Sequence, residues 1–128
     1  HCRSAEQIAT FLSGHKKIAR VLYPGLKEHP GHEIAKKQMA AYGGMLSFTL
    51  DSRDACKRFL NNVRLCKIGV SLGDAETLIM NSALMFHGNR SDAACRKSGI
   101  DPLLIRISTG LEDPADIIND MNAALKSV

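Results

Sequence analysis

The sequence predicts an α/β domain of the layered α+β kind, with a small antiparallel or mixed sheet and helices mainly on one face. Helical and extended segments alternate along the 128 residues. Residues 45–50 alternate cleanly, which places Leu46, Phe48 and Leu50 on one side of a strand. The predicted strands are short and partly polar, and this pattern suits a sheet with only one fully buried face.

The individual elements follow from this alternation and from residues that start or stop a helix. Short apolar stretches predict the strands 18–22, 45–50, 68–72, 77–80 and 103–108. Capping side chains, prolines and glycines predict the helices: Ser4 with Gln7 to Gly14, Pro30 to Gly43, Asp51 or Ser52 to Val63, Ser91 to Gly99, and Asp113 to Leu125.

Composition narrows the class of protein. Apolar residues make up 45% of the chain and charged residues 23%, as in ordinary globular domains. No apolar run approaches the roughly 18 residues of a membrane span, so no membrane partner is expected. No secretory leader opens the chain, which starts with His1 in a predicted helix, and further residues are expected upstream. Four cysteines without C-x-x-C spacing favour a reduced, cytoplasmic protein and argue against zinc.

The net charge of +4 and the pI near 9.0 do not indicate a nucleic-acid-binding protein. The basic residues form short, scattered pairs such as Lys16-Lys17 and Lys36-Lys37, and only six aromatic residues accompany them. These pairs are expected on solvated helix faces, and no nucleic-acid partner is predicted.

Arg106 is the first candidate binding residue. It lies in the predicted strand 103–108, whose other face carries Leu103, Ile105 and Ile107. A half-buried guanidinium needs acceptors for its donors, and its planar fork matches a carboxylate. From the residues alone, a ligand carboxylate and a structural ion pair are equally good partners.

The second candidate is the segment 69–74, in which two glycines flank Ser71 and Leu72. Such a backbone turns tightly and can bring N–H groups close to a ligand, although a plain turn explains the pattern as well. His29 and His32 could share a metal, but no further ligands are evident, so they are expected to be surface residues at a helix start. No metal site is predicted.

Several stretches in register resemble the C-terminal domain of the Cys/Met-metabolism family of pyridoxal-phosphate (PLP) enzymes. They run from about residue 3 to the end of the chain. The matching stretches are Tyr23-Pro24-Gly25-Leu26 with His29-Pro30 and His32, Gly43-Gly44-Met45 with Ser47-Phe48, Val70-Ser71-Leu72-Gly73-Asp74 with Glu76-Thr77-Leu78, and Ile105-Arg106-Ile107-Ser108 with Gly110-Leu111-Glu112-Asp113.

The resemblance implies the small C-terminal domain of a fold-type I PLP enzyme. Within the family, residues 71–78 are most similar to the methionine γ-lyase branch, because relatives more often have glycine in place of Asp74. That branch eliminates a thiol from the γ-carbon of a sulfur amino acid and leaves an α-keto acid and ammonia. By the same resemblance, Arg106 would bind the substrate α-carboxylate, and Ser71 with the backbone around Leu72 would help to hold the substrate or the cofactor-bearing lysine.

The resemblance also implies what lies elsewhere. Residues 1–15 would end an inter-domain helix and residues 16–128 would form the small domain. The cofactor lysine lies in a Ser-x-x-Lys segment of the family's large N-terminal domain, so no catalytic or cofactor-binding residue is expected among the nine lysines here. The 128 residues alone should be inactive, whereas the intact enzyme is expected to be a homotetramer with its own PLP domain.

One segment departs from the family pattern. Relatives usually carry His-Pro-Ala and end this stretch in Thr-His, where residues 81–87 read Asn-Ser-Ala-Leu-Met-Phe-His. Substrate preference is therefore open, and cystathionine γ-lyase, cystathionine γ-synthase and homoserine sulfhydrylase remain alternatives. A free-standing, non-catalytic interaction domain is the alternative from another class.

Overall fold

A computed structural model describes all 128 residues and contains six helices and five strands. The elements in chain order are α1 (Cys2–Ser13), β1 (Arg20–Leu22), α2 (His32–Gln38), β2 (Met45–Thr49), α3 (Arg53–Asn62), β3 (Lys67–Ile68), β4 (Leu78–Met80), α4 (Ser82–Phe86), α5 (Asp92–Lys97), β5 (Leu104–Ser108) and α6 (Pro114–Leu125). No helix is long and apolar enough to cross a membrane.

The strands form one mixed sheet in the order β1-β2-β5-β4-β3. All neighbouring pairs are antiparallel except β3 and β4, which are parallel. The predicted fold class is therefore confirmed. The last strand in sequence, β5, occupies the centre of the sheet, so residues far apart in the chain meet around it.

The three longest helices, α1, α3 and α6, pack on one face of this sheet and complete a single core. That face carries five strand residues that are at most 2% exposed: Leu46, Phe48, Ile79, Ile105 and Ile107. Phe48 meets Phe59 of α3 edge-on, with ring centroids 5.4 Å apart. Helices mainly on one face were expected from the alternation of residues 45–50, and the structure agrees.

Three of the predicted helix starts have the expected capping contacts. Ser52, Ser91 and Asp113 each accept a hydrogen bond from a backbone N–H in the first turn of α3, α5 and α6. The capping box of Ser4 and Gln7 is wrong. The helix α1 begins earlier, since Ala5 N–H donates to the His1 carbonyl at 2.9 Å, and this places Ser4 inside the helix.

Three other predicted elements are shorter than expected by more than one residue, and one element was missed. The strand predicted at 18–22 begins at Arg20. The helix α2 starts at His32, not at Pro30, because successive tight turns occupy residues 23–32. It ends at Gln38, since Met39 is extended. The strand predicted at 68–72 ends at Ile68. The five-residue helix α4 was not predicted.

Candidate functional site

Arg106 lies in the middle of the central strand, on the sheet face opposite the core. Its register partners are Ser47 on β2 and Met80 on β4. Nη2 donates to the carbonyls of Val70 at 2.9 Å and Ser71 at 2.8 Å. Arg106 Nε is buried without an acceptor, and no carboxylate lies within ion-pair distance of the guanidinium. The charge is therefore held in place by backbone dipoles but is not neutralised within this chain.

Ser71 and Leu72, the other two predicted site residues, lie beside this arginine. The Ser71 carbonyl holds Arg106, whereas the Ser71 side chain makes no hydrogen bond. Leu72 is 61% exposed. The expectation that backbone N–H groups of this segment face a ligand stays a prediction for residues 70–72, because only the N–H groups of Gly69 and Gly73 have partners within this chain. Gly73 N–H donates to Ser108 Oγ at 2.9 Å, and it is the carbonyls at 70 and 71 that turn towards the arginine.

The same contacts explain why β3 is short. Gly69 N–H makes the last ladder bond, to the carbonyl of Ile79 at 3.2 Å. Beyond this point the carbonyls of Val70 and Ser71 accept from Arg106 and the chain leaves the sheet. Gly73 then turns it back with φ +75, a left-handed conformation that glycine adopts readily. The loop is thus shaped around the arginine.

A second set of contacts fixes the far end of this loop. Thr77 is fully buried; its N–H and hydroxyl donate to the two carboxylate oxygens of Glu112 at 2.6 and 2.8 Å. Thr77 Oγ1 also accepts from Gly110 N–H at 2.8 Å. A Cβ on Gly110 would stand 2.3 Å from the Ala75 carbonyl, so only glycine fits there. We call Thr77, Gly110 and Glu112 the latch.

The residues of the latch lie in recognisable stretches of the sequence, but their contact with one another could not be predicted from it. Gly110 and Glu112 belong to one family-like stretch, and Thr77 belongs to another and starts a predicted strand. The donor and acceptor lie 35 residues apart. Only the antiparallel pairing of β4 with β5 brings them together.

A small cavity of about 130 Å³ lies beside the loop, next to the exposed Leu72. Leu72, Gly73 and Ser108 line one part of it, and His1, Gly44, Met45 and Thr109 line the rest. The single proton of the Thr109 hydroxyl is shared between the carbonyls of His1 and Gly44, both 3.0 Å from Oγ1, so the start of α1 is tied to the end of β5. The cavity is therefore framed by backbone that hydrogen bonds hold in place.

The groups whose pKa is shifted lie away from Arg106. Burial raises the pKa of the Tyr23 hydroxyl to about 12 and that of the Cys56 thiol to about 11. Burial, with the nearby Asp120 carboxylate, also raises the pKa of the Cys66 thiol. Buried thiols of this kind stay protonated and are poor nucleophiles. They fit the expected role of packing residues.

The histidines do not form a metal site, and no cluster of three or more His, Cys, Asp or Glu side chains has metal-binding geometry. The prediction of surface histidines is wrong for His32, which is buried. Its Nδ1 lies 2.8 Å from the Pro24 carbonyl and its ring stacks on Tyr42. His29 Nδ1 accepts from Gly31 N–H at 3.0 Å and so shapes the turn before α2.

One lysine, Lys16, does have the Ser-x-x-Lys spacing, three residues after Ser13. The Ser13 hydroxyl donates to the Ala9 carbonyl at 2.8 Å, as serines near helix ends often do. Lys16 follows α1 on the surface and is exposed. These contacts give the pair a local role at the end of α1, and neither residue lines the cavity beside Leu72.

The fold of this chain is that of a domain found in PLP-containing lyases. A crystal structure of a putative O-acetylhomoserine (thiol)-lyase from Campylobacter jejuni, with a pyridoxyl-lysine monophosphate, matches it with a TM-score of 0.88 and 33% identity. The match covers 99% of this chain and 31% of that chain.

The chain belongs to the family of Cys/Met metabolism PLP-dependent enzymes, whose family model matches residues 1–126. It is 48% identical to an L-methionine γ-lyase of Fusobacterium nucleatum over 100% of this chain and 33% of the relative. It is 44% identical to a cystathionine β-lyase of Lactococcus lactis over 98% of this chain and 33% of the relative. The chain thus spans about a third of the length of these relatives. The resemblance seen in the sequence is confirmed, and with it pyridoxal phosphate as the cofactor of the family.

Proposed function

We propose that this chain is the substrate-carboxylate-binding part of a PLP-dependent lyase that eliminates a thiol from the γ-carbon of a sulfur amino acid. The observation that carries the proposal is Arg106, a fixed guanidinium with a buried, unpaired Nε. A buried donor without an acceptor is costly, so the site calls for an anionic partner from outside this chain. A ligand carboxylate can accept hydrogen bonds from the donors on Nε and Nη1 that the two carbonyls leave free.

The donors here fit the amino-acid substrate rather than the cofactor. Pyridoxal phosphate, bound by the remainder of the enzyme, supplies the electron sink for breaking bonds at the substrate carbons. Arg106 would grip the α-carboxylate and thereby fix the direction of the substrate side chain. Val70 and Ser71, which hold Nη2, would keep that grip from rotating. Orientation of this kind can lower a reaction barrier by several kcal/mol, roughly 7–11 in favourable cases.

The remaining parts of the assembly follow from the same proposal. Residues 1–15 would end the inter-domain helix, and residues 16–128 would form the small domain beside the enzyme's own N-terminal PLP domain. Exposed apolar side chains around the loop support such a neighbour: Ile68, Val70, Leu72 and Leu111 are each more than half exposed. The complete enzyme would be a cytoplasmic homotetramer.

L-Methionine is the proposed substrate, giving methanethiol, 2-oxobutanoate and ammonia. Support comes from the first relative, named L-methionine γ-lyase, and from Asp74 in the Ser71–Leu78 stretch. The relatives also include proteins named cystathionine β-lyase and cystathionine γ-lyase. Cystathionine γ-lyase, cystathionine γ-synthase and homoserine sulfhydrylase activities are therefore the alternatives to be separated by experiment.

The test uses the complete enzyme loaded with pyridoxal phosphate and three separate substrates: L-methionine, L-cystathionine, and O-acetylhomoserine with sulfide. We expect L-methionine to give thiol, keto acid and ammonia in equal amounts and to have the highest kcat/KM. Preferred cleavage of L-cystathionine, or net homocysteine formation from O-acetylhomoserine, would replace the proposal by the corresponding alternative. Turnover of none of the three would overturn the proposed γ-elimination.

A further inference from the structure

The positive charge of Arg53 lies at a position where it does not stabilise its own helix, α3. Arg53 is the first residue of α3, whose N-terminus carries the positive end of the helix dipole. A cation there is disfavoured, whereas acidic side chains are favoured. The side chain is nevertheless largely buried, with 20% of its surface exposed. Its burial therefore has to be explained by contacts outside α3.

All of these contacts go to one stretch of chain, residues 83–92. Nη1 donates to the Arg90 carbonyl at 2.7 Å, and Nη2 donates to the carbonyls of Ala83 at 3.4 Å and His87 at 3.3 Å. Nε is buried without a hydrogen-bond acceptor, as in Arg106, but here Asp92 Oδ1 lies 3.4 Å away in an ion pair within the same chain. One guanidinium thus binds the beginning, the middle and the end of this stretch.

The helix α4 needs such support because it is only five residues long. Isolated helices of this length are unstable, and their last carbonyl groups have no partner within the helix. Arg53 adds a donor and a positive charge at the carbonyls of Ala83 and His87, which also accept backbone N–H bonds, close to the negative end of the helix dipole. At the other end, the Asn81 side chain accepts from Leu84 N–H at 2.9 Å. Arg53 and Asn81 together hold the helix at both ends.

The stretch starts beside the candidate substrate site. Met80, the last residue of β4, is the register partner of Arg106, and α4 begins two residues later. Asn81 Nδ2 donates to the carbonyls of Pro102 and Leu104 at 2.9 and 3.0 Å, which fixes α4 to the start of the strand that carries Arg106. Two apolar side chains of α4, Met85 and Phe86, are 40% and 61% exposed.

We propose that Arg53 is a positioning residue that fixes residues 82–92, so that Met85 and Phe86 select the sulfur-bearing side chain of the substrate. The inference rests on the proposed function, because it takes Arg106 as the carboxylate anchor. With the carboxylate held at Arg106, discrimination between sulfur amino acids has to come from what meets the other end of the substrate. An apolar pair discriminates between S-substituents by size and polarity.

The first experiment compares Arg53→Met with Arg58→Met in the complete enzyme. Arg58 lies on the same helix, but its contacts go to Asp54 and Ser127 and none goes to residues 82–92. We expect Arg53→Met to change the ratio of kcat/KM for L-methionine to kcat/KM for L-cystathionine by about tenfold or more. Arg53→Lys, which keeps the charge without the planar fork, should lie between it and wild type. Arg58→Met should keep the wild-type ratio.

The second experiment measures backbone hydrogen exchange in the same variants, and it does not depend on activity. Amides of residues 84–90 should exchange about tenfold faster or more in Arg53→Met, because the contacts that close this stretch are lost. Exchange in α6 should stay as in wild type. If exchange at 84–90 is unchanged, Arg53 does not fix the stretch and the inference is overturned.

The two experiments separate the failure of this inference from the failure of the proposed function. If wild type turns over no sulfur amino acid, the proposed function fails and the selection role of Met85 and Phe86 fails with it, while exchange still decides whether Arg53 fixes the stretch. If wild type is active but Arg53→Met slows both substrates by the same factor, the proposed function stands and the selection role is overturned.

Discussion

The two faces of the sheet differ in whether residues of this chain cover them and satisfy their polar groups. On the core face, Phe48, Ile105 and Ile107 are fully buried beneath α1, α3 and α6. On the opposite face, at the centre of the sheet, Arg106 keeps a buried nitrogen without an acceptor. The core face therefore determines whether the domain folds. On the opposite face, called the open face below, a donor of Arg106 stays without an acceptor until a partner from outside this chain binds there. Substitutions on the two faces should separate into effects on stability and effects on activity.

The largest effect is expected on the open face. In the complete enzyme, Arg106→Ala removes two charged hydrogen bonds to the substrate carboxylate, each contributing roughly 1.5–3 kcal/mol, so kcat/KM should fall by about 10²–10⁴-fold. Steady-state kinetics measure this. Arg20→Ala is the matched control, because Arg20 lies on the same sheet face but pairs with Asp101 and is 58% exposed. Near-normal kinetics for Arg106→Ala would remove this residue from the site.

On the core face, Phe48→Ala should act on stability instead. Loss of the buried ring and of its edge-on contact with Phe59 should lower the free energy of unfolding by about 3–5 kcal/mol. Urea denaturation of the complete enzyme measures this change. Molecules that remain folded should keep a KM close to that of wild type. A large rise in KM without loss of stability would show that the two faces are not separable in this way.

The latch contains the fully buried Thr77 and fixes the far end of the loop that holds Arg106, so its loss should affect both stability and activity moderately. Thr77→Val removes the hydroxyl that bonds Glu112 and Gly110 and leaves their polar groups without it, at a cost of about 1–3 kcal/mol. KM should rise severalfold because the loop that holds Arg106 loosens, while kcat changes less. Thr10→Val, at an exposed hydroxyl on α1, is the control and should alter neither quantity.

The smallest effect concerns alkaline pH. Burial raises the pKa of Cys56 from 9.0 to about 11, so the folded state holds its proton more tightly than the unfolded state. The stability that this thiol contributes is complete below pH 9 and is lost as the pH rises to about 11. Urea midpoints of wild type and Cys56→Ala should therefore converge over this range. A difference that grows with pH would contradict the raised pKa.

Much of the fold could be predicted because its signals are local. The alternation of residues 45–50, the Ser52 cap and the Asp113-Pro114 start each depend on neighbours in sequence, and the structure has β2, α3 and α6 close to where they were expected. The capping box at Ser4 failed for a related reason. A local pattern identified a start, but a backbone bond to His1 begins the helix earlier.

The site could be predicted only as separate residues. Arg106 was notable because a guanidinium is unusual in an apolar strand, and Ser71 because glycines flank it. Their contact depends on β5 lying at the centre of the sheet, which no local pattern encodes. The same holds for Thr77 with Glu112 and for Arg53 with residues 83–92, whose partners are 30 or more residues apart. Long-range pairing, rather than side-chain chemistry, was the missing information.

The way in which Arg106 is held determines which positions of this domain can change without disturbing the guanidinium. Its Nη2 bonds to the main chain at positions 70 and 71, and every amino acid carries a carbonyl there. The side chains of this loop can therefore be exchanged over evolutionary time, or in a mutant library, without removing the acceptors that orient the guanidinium. Gly110 is the opposite case, since a single added carbon atom would collide with Ala75. Positions 70 and 71 should therefore accept substitutions, whereas Gly110 should not. A mutant library should vary positions 70 and 71 and keep Gly110.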